Sequence, residues 1–244
     1  MKIISWNIAC LPDLFNLFGT PQYRLKCILN ELEKLDADII CLQEVFSDNS
    51  RKIISEELSK KYNVQMSRET NRWEMLNGGL LIASKYPIVD SFFHIFKDAC
   101  GEDWYSEKGF LHVIIQKTKK KRISIINTHL NAASVFFMEK KAEKIRMKQV
   151  FDILSYLHQS SSQYLGIICG DFNDCYNSKI IKMLIHSLKM KFKYINRNAN
   201  IFTTFENQQL DYIITYGNRK IKQKYKVIAS DILSDHKILK CLID

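Results

Sequence analysis

The sequence predicts a mixed α/β (α+β) fold in which two β-sheets pack face to face and helices cover their outer sides. Three observations carry this. Short apolar runs of strand length, rich in Ile, Val and Phe, recur along the whole chain. Segments of helical period separate some of these runs, each with one apolar stripe. Only 8 Gly and 3 Pro occur, with no low-complexity tract, Ser/Gly linker or repeat of fixed period, so residues 1–244 read as one domain.

The elements follow in order. A first strand is expected over residues 2–7, where Ile3 and Ile4 precede Trp6 and Asn7. Residues 24–35 form a helix with Leu25, Ile28, Leu29, Leu32 and Leu35 on one face. The run Ile39-Ile40-Cys41-Leu42 sets a strand over 38–43, and Ile53, Ile54 and Leu58 set a helix over 51–61. Strands at 79–84, 91–96, 109–116 and 123–129 come next. A long helix at 139–158 carries Met147, Val150, Phe151, Leu154 and Leu157 on a stripe. A strand at 165–169 and a shorter helix at 179–188 lead to strands at 210–215, 225–229 and 237–242. Many strands with few helices bury their apolar faces as two packed sheets covered by helices.

Composition bounds the function. An apolar content of 46% in 244 residues supports one sizeable core. The seven cysteines are scattered, mostly inside apolar runs, with no CxxC pair, so they read as buried reduced thiols. No run of 18 apolar residues exists, and a strand from Lys2 leaves no room for a leader. A soluble monomer, cytoplasmic or at a membrane periphery, is therefore expected. The net charge of +10 favours anionic partners, whether nucleic acid, acidic lipid surfaces or phosphorylated substrates. The cations concentrate at 117–122, 139–148 and 219–226, the first and last of which look like turns between strands.

Chemistry-bearing residues stand where the apolar runs end. Asn7, Glu44 and Asp171 follow strands; Asp235-His236 precedes the last strand and reaches the same rim if that strand is antiparallel to its neighbour. Glu44 offers the hard oxygen that magnesium prefers, although alone it also fits a helix cap or rim acid. Asp171 and Asn173, two residues apart, project to one side in extended backbone and can address one phosphate or water; alone they also fit an Asp/Asn turn. The carboxylate can take a proton from attacking water, and the amide can hold the nucleophile or a phosphate oxygen. His129 and Asn131 share a spacing of two and can both touch a phosphate. Asp211 lies in an apolar strand and needs a buried partner, for which a histidine nitrogen is the best candidate. An acid beside His236 favours its protonated form, useful against an anionic phosphorane. His94, His112, His158 and His186 lack such company and read as structural or surface residues.

In order, Trp6-Asn7, Gln43-Glu44, Thr128-His129-Leu130, Gly170-Asp171-Phe172-Asn173, Leu210-Asp211-Tyr212 and Ser234-Asp235-His236 resemble the endonuclease/exonuclease/phosphatase superfamily of metal-dependent phosphodiesterases. The resemblance implies a four-layer αββα sandwich of two mixed sheets flanked by helices. Asn77-Gly78-Gly79 through Pro87-Ile88, Cys100-Gly101-Glu102-Asp103, Glu107-Lys108-Gly109-Phe110 and Leu42-Gln43-Glu44-Val45-Phe46 look like its neutral sphingomyelinase branch. His129 is a residue that abasic-site endonucleases generally lack, and Ile168-Cys169-Gly170 departs from the Trp-x-Gly of inositol phosphatases.

By resemblance, Glu44 is the principal ligand of Mg2+, with Asn7 beside it and Asp235 near the metal; Mn2+ or Co2+ are possible substitutes. Asp171 and Asn173 position water and phosphate. His236, oriented by Asp211, is general base or phosphate-stabilising imidazole. His129 contacts the phosphate or protonates the leaving group, and Asn131 and Lys108 bind substrate. The implied reaction is in-line hydrolysis of a sphingomyelin-type lipid at a phospholipid membrane surface. The rivals are a nuclease or repair phosphodiesterase on nucleic acid, and a non-catalytic binder of anionic ligands. Secreted bacterial sphingomyelinases carry an aromatic-tipped hairpin before the final Ser-Asp-His, whereas residues 211–235 here are short and basic. Trp73, Trp104, Tyr105 or residues 14–18 are candidates for the interface instead.

Overall fold

A computed structural model describes residues 1–11, 21–68, 76–132, 139–159, 165–198, 201–229 and 233–244. Among them the first sheet contains β1 (Lys2–Cys10), β2 (Ile39–Val45), β3 (Asn63–Met66), β4 (Leu81–Ser84), β11 (Gln223–Ile228) and β12 (Ile238–Ile243), in the spatial order β11-β12-β1-β2-β4-β3. The second contains β5 (Ile88–Ile95), β6 (Gly109–Thr118), β7 (Lys121–His129), β8 (Leu165–Asp171), β9 (Tyr194–Arg197) and β10 (Asp211–Gly217), ordered β5-β6-β7-β8-β10-β9. Helices α1 (Pro21–Leu35) and α2 (Asp48–Ser59) cover the first sheet, and α3 (Glu139–Gln159) and α4 (Lys179–Lys191) the second.

The layering follows from the two-residue period of buried strands. Ile3, Cys41, Ile125, Ile167 and Ile213 point between the sheets. Their neighbours Ile4 and Leu42 face α1 and α2, and Ile126, Ile168 and Ile214 face α3 and α4. Strands apolar on both faces therefore form a four-layer αββα sandwich, as expected. Each fully buried Ile or Leu contributes about 1.5–3 kcal/mol of apolar transfer.

Two parallel pairings set the rim where the candidate residues gather. β1 runs parallel to β2 and β7 parallel to β8, so their carboxyl ends lie on one side. β10 is antiparallel to β8 and β12 antiparallel to β1, which brings the start of each to that same side.

The structure departs from the sequence reading in small ways. β3 and β9, four residues each at sheet edges, carry weak polar patterns and were not expected. On α3 the buried stripe runs through Arg146, Gln149, Val150, Ile153, Leu154 and Leu157, while Phe151 faces outward. The helix turns its polar Arg146 and Gln149 inward because they brace the loop after β7: Arg146 Nη1 donates to Asn131 O and Gln149 Oε1 accepts from Asn131 N.

Candidate active site

Six strand ends deliver the candidate residues. Asn7 and Glu44 come from β1 and β2, His129 and Asp171 from β7 and β8, Asp211 opens β10, and His236 lies just before β12. His129 and Asp171 are register partners, as are Asp171 and Asp211. The backbone is unusual at this rim. Glu44 and Asn173 adopt left-handed φ of 57° and 48°, a conformation that turns each side chain out of the strand alternation. Gly170, with φ of 138°, lies so close to β7 that a Cβ would sit 1.8 Å from Thr128 O. That glycine is required for Asp171 to reach the rim.

The polar contacts converge on Asp171. Asn7 Nδ2 donates to Glu44 Oε1 at 2.8 Å and to Asp171 Oδ2 at 3.1 Å, while Asn7 Oδ1 accepts from Ala9 N. Asn7 thus presents its NH2 group to both acids and holds the carboxylates in place. Asn173 N donates to Asp171 Oδ1, fixing that carboxylate from the other side.

His236 bridges two acids. Its Nδ1 is 2.9 Å from Asp211 Oδ2 and its Nε2 3.5 Å from Asp171 Oδ2. Burial opposes its charge, but Asp211, Asp171 and Asp235 together hold it protonated well above the usual histidine range. Asp211 is the buried histidine partner expected from the sequence. Its own backbone is pinned by Thr203 Oγ1, which accepts from Asp211 N, and by Asn198 Nδ2, which donates to Asp211 O.

His129 is in the opposite state. Its Nε2 accepts from Asn173 Nδ2 and from Lys108 Nζ, each at 3.0 Å. Burial, then Lys108 and His236, push it well below the usual range.

Two other expected substrate contacts are engaged within the protein. Lys108 Nζ reaches Asp103 Oδ1 at 2.8 Å and Leu130 O at 3.0 Å besides His129, accounting for its three donors. Asn131 Oδ1 accepts from Cys100 N, and its Nδ2 donates to Ala132 O. Both tie the 3-10 turn at Gly101–Tyr105 to the end of β7. β7 ends at His129, so the spacing of two does not place Asn131 on the histidine's face.

Burial raises Glu44, and burial with the neighbouring Asp211 pushes Asp171 up to about 7. Crowded acids that resist ionisation are what a divalent cation relieves, and an all-oxygen set suits magnesium. Asp171, Asp211 and His236 lie close enough to hold an ion. Their charges, however, are already balanced by the imidazolium, which would repel one. Glu44, the more open acid, and the exposed Asp235, whose charge acts on it, fit a cation better.

Sequence reasoning missed the supports. Arg24, buried on α1, donates to Ile8 O and Ala9 O on β1 and to Leu233 O before His236, joining both ends of the chain at the rim. Gln43 Nε2 donates to Asn127 Oδ1 at 2.7 Å across the sheets, and Asn127 Nδ2 donates to Leu42 O and Leu81 O. A signal existed for the last: Asn127 continues the inward alternation of Ile123 and Ile125, where a polar residue needs partners. Of the proposed interface residues, Trp104 is 62% exposed and Tyr105 is also exposed. Trp73 and residues 14–18 lie outside the described residues.

Comparison with known proteins places this geometry. Sphingomyelinase C 2 of Leptospira interrogans is 32% identical over 195 residues, covering 71% of this chain but 30% of that protein. The chain thus spans less than a third of that relative's length. A phospholipase C of Staphylococcus aureus is 26% identical over 252 residues, covering 90% of this chain and 74% of the relative. The crystal structure of a Staphylococcus aureus beta toxin F277A, P278A mutant with bound magnesium ions superposes with a TM-score of 0.78 at 20% identity, covering 98% of each chain. The model described as Endonuclease/Exonuclease/phosphatase family matches residues 4–236, and the chain belongs to that family.

Proposed function

We propose that the chain is a divalent-metal-dependent phosphodiesterase that hydrolyses a phosphocholine lipid of the sphingomyelin type to ceramide and phosphocholine. The observation that carries the chemistry is the meeting of Glu44, Asp171, Asn173, Asp211 and His236 at one rim. A cation held by Glu44, with Asp235 nearby, would neutralise charge on the phosphoryl oxygens. Asp171, raised by burial, takes a proton from the water as its oxygen bonds to phosphorus. Protonated His236 faces the developing charge and gives its proton to the departing lipid oxygen as the P–O bond breaks. The 3.5 Å between them lets the proton return from Asp171 to His236, restoring both. His129 and Lys108 hold Asn173 and the loop after β7 in register.

Exposed aromatic residues support a lipid surface. Trp104 and Tyr105 stand on the 3-10 turn tied to β7. Phe202, 57% exposed, and Phe205 flank Thr204, which forms a β-bridge with His236. Rings at a rim suit the polar–apolar boundary of a bilayer. A parallel assay with magnesium on sphingomyelin vesicles, plasmid DNA and inositol phosphates tests the reading. Phosphocholine release is expected; nicking of DNA without it would transfer the same residues to a nuclease.

A further inference from the structure

We infer that the pole opposite the catalytic rim is a docking surface for double-stranded nucleic acid, recognised through its phosphates without regard to sequence. Residues 117–122, 189–193 and 219–226 hold 13 of the chain's 36 Lys and Arg and none of its 26 Asp and Glu. The rest of the chain therefore carries 23 cations against 26 acids, and the +10 belongs to these three segments.

The fold gathers them. Ile123 pairs with Leu165, Gly166 with Tyr216, and Gly217 with Tyr194. Arg122, Asn218 and Lys193 thus stand at the same end of β7, β10 and β9. The row from β7 to β9 covers three strand spacings, about 14 Å, similar to the ~12 Å width of a DNA major groove between its phosphate backbones. On the other sheet β11 starts at Gln223, whose Nε2 reaches Thr215 Oγ1 on β10 and joins the two sheets at this pole. Lys119, Lys120, Lys121, Arg122, Lys193, Arg219, Lys220, Lys222 and Lys224 are all exposed. The acids at this end are Asp244 after β12, Asp36 and Asp38 before β2, three strands from β11, and Asp90 on the edge strand β5.

The patch does not serve the active site. Seven residue steps along β7 separate Arg122 from His129, about 23 Å at the usual rise. A bilayer engaged by the catalytic rim lies on the far side of the molecule, which leaves the patch facing water and an aqueous polyanion. Lysine predominates, and lysine is a point charge suited to phosphate backbones rather than a planar fork that reads bases.

The test is anisotropy of a labelled 20-base-pair duplex titrated with the full chain in EDTA across a salt series. Two variants neutralise the patch independently: Lys119→Ala/Lys120→Ala/Lys121→Ala and Arg219→Ala/Lys220→Ala/Lys222→Ala. The control is Lys140→Ala/Lys141→Ala/Lys144→Ala, an equal charge change at exposed positions on α3 near the rim. Each patch variant is expected to weaken binding at least about tenfold and to lower the salt slope by about one for each phosphate no longer neutralised, while hydrolysis of a soluble phosphodiester is unchanged. No binding of the native chain at low salt, equal weakening by the control, or patch-dependent capture of anionic vesicles but not of the duplex would each overturn the inference.

Discussion

Oδ2 of Asp211 lies 2.9 Å from Nδ1 of His236, and Nε2 of the same ring faces Asp171 at 3.5 Å. One imidazole is thereby held charged between acids from paired strands. Replacing Asp211 with Asn keeps the shape but withdraws the charge that opposes desolvation of the ring. The expected result is a fall in kcat of about 10²–10⁴-fold with KM nearly unchanged, measured on a soluble phosphodiester. A kcat within a few fold of the native value would show that the pair is structural only.

Glu44 gives a test with a readout besides turnover. A cation that offsets the raised Glu44 binds the folded chain selectively, adding about 2.7 kcal/mol of stability at a hundredfold excess over Kd. Magnesium should therefore raise the Tm of the native protein. Glu44→Gln should lose that rise and several orders of magnitude in rate while folding normally. An unchanged magnesium response in the variant would place the ion elsewhere.

His112, remote from the rim, contributes to acid stability. It is buried between Ser124 Oγ and Tyr156 Oη, each 2.8 Å away, and burial lowers its pKa from 6.5 to about 4. The unfolded chain binds a proton below pH 6.5 that the folded chain refuses until about pH 4. Stability is complete above pH 6.5 and is lost as pH falls through that window, by roughly 3 kcal/mol. Urea unfolding at pH 7 and pH 4.5 should show a smaller difference in His112→Gln than in the native protein.

Asn127 ties the sheets together near the site. Asn127→Ala leaves Gln43 Nε2 and the carbonyls of Leu42 and Leu81 facing a dry interface. At about 1–3 kcal/mol for each buried polar group left unpaired, the Tm should fall well beyond that of an Asn218→Ala variant in the exposed turn after β10. Equal losses at the two positions would deny the staple its role.

Much of this molecule was readable from the chain because its strands are apolar on both faces and its helices each carry one stripe. Those patterns set ten strands and four helices to within a few residues. β3 and β9 escaped because edge strands bury little and so need no apolar signature. Within the site, Asp211 was legible because a carboxylate in an apolar strand demands a partner. The contacts of Lys108 and Asn131 with Asp103 and Cys100 were not legible, because nothing in the sequence shows which groups the 3-10 turn and the residue before it fold back against. The opposite shifts of the two histidines were likewise hidden: one depends on burial and then on Lys108 beside it, the other on three carboxylates that outweigh burial.

The left-handed backbone at Glu44 sets durability against turnover at one position. A non-glycine residue there costs on the order of 1 kcal/mol, and burying the Glu44 carboxylate adds to that. Glu44→Gly should therefore melt at or above the native temperature while being inert. Selection for heat resistance alone would erase the proposed chemistry, so any stabilised version of this chain must be screened for hydrolysis at every step.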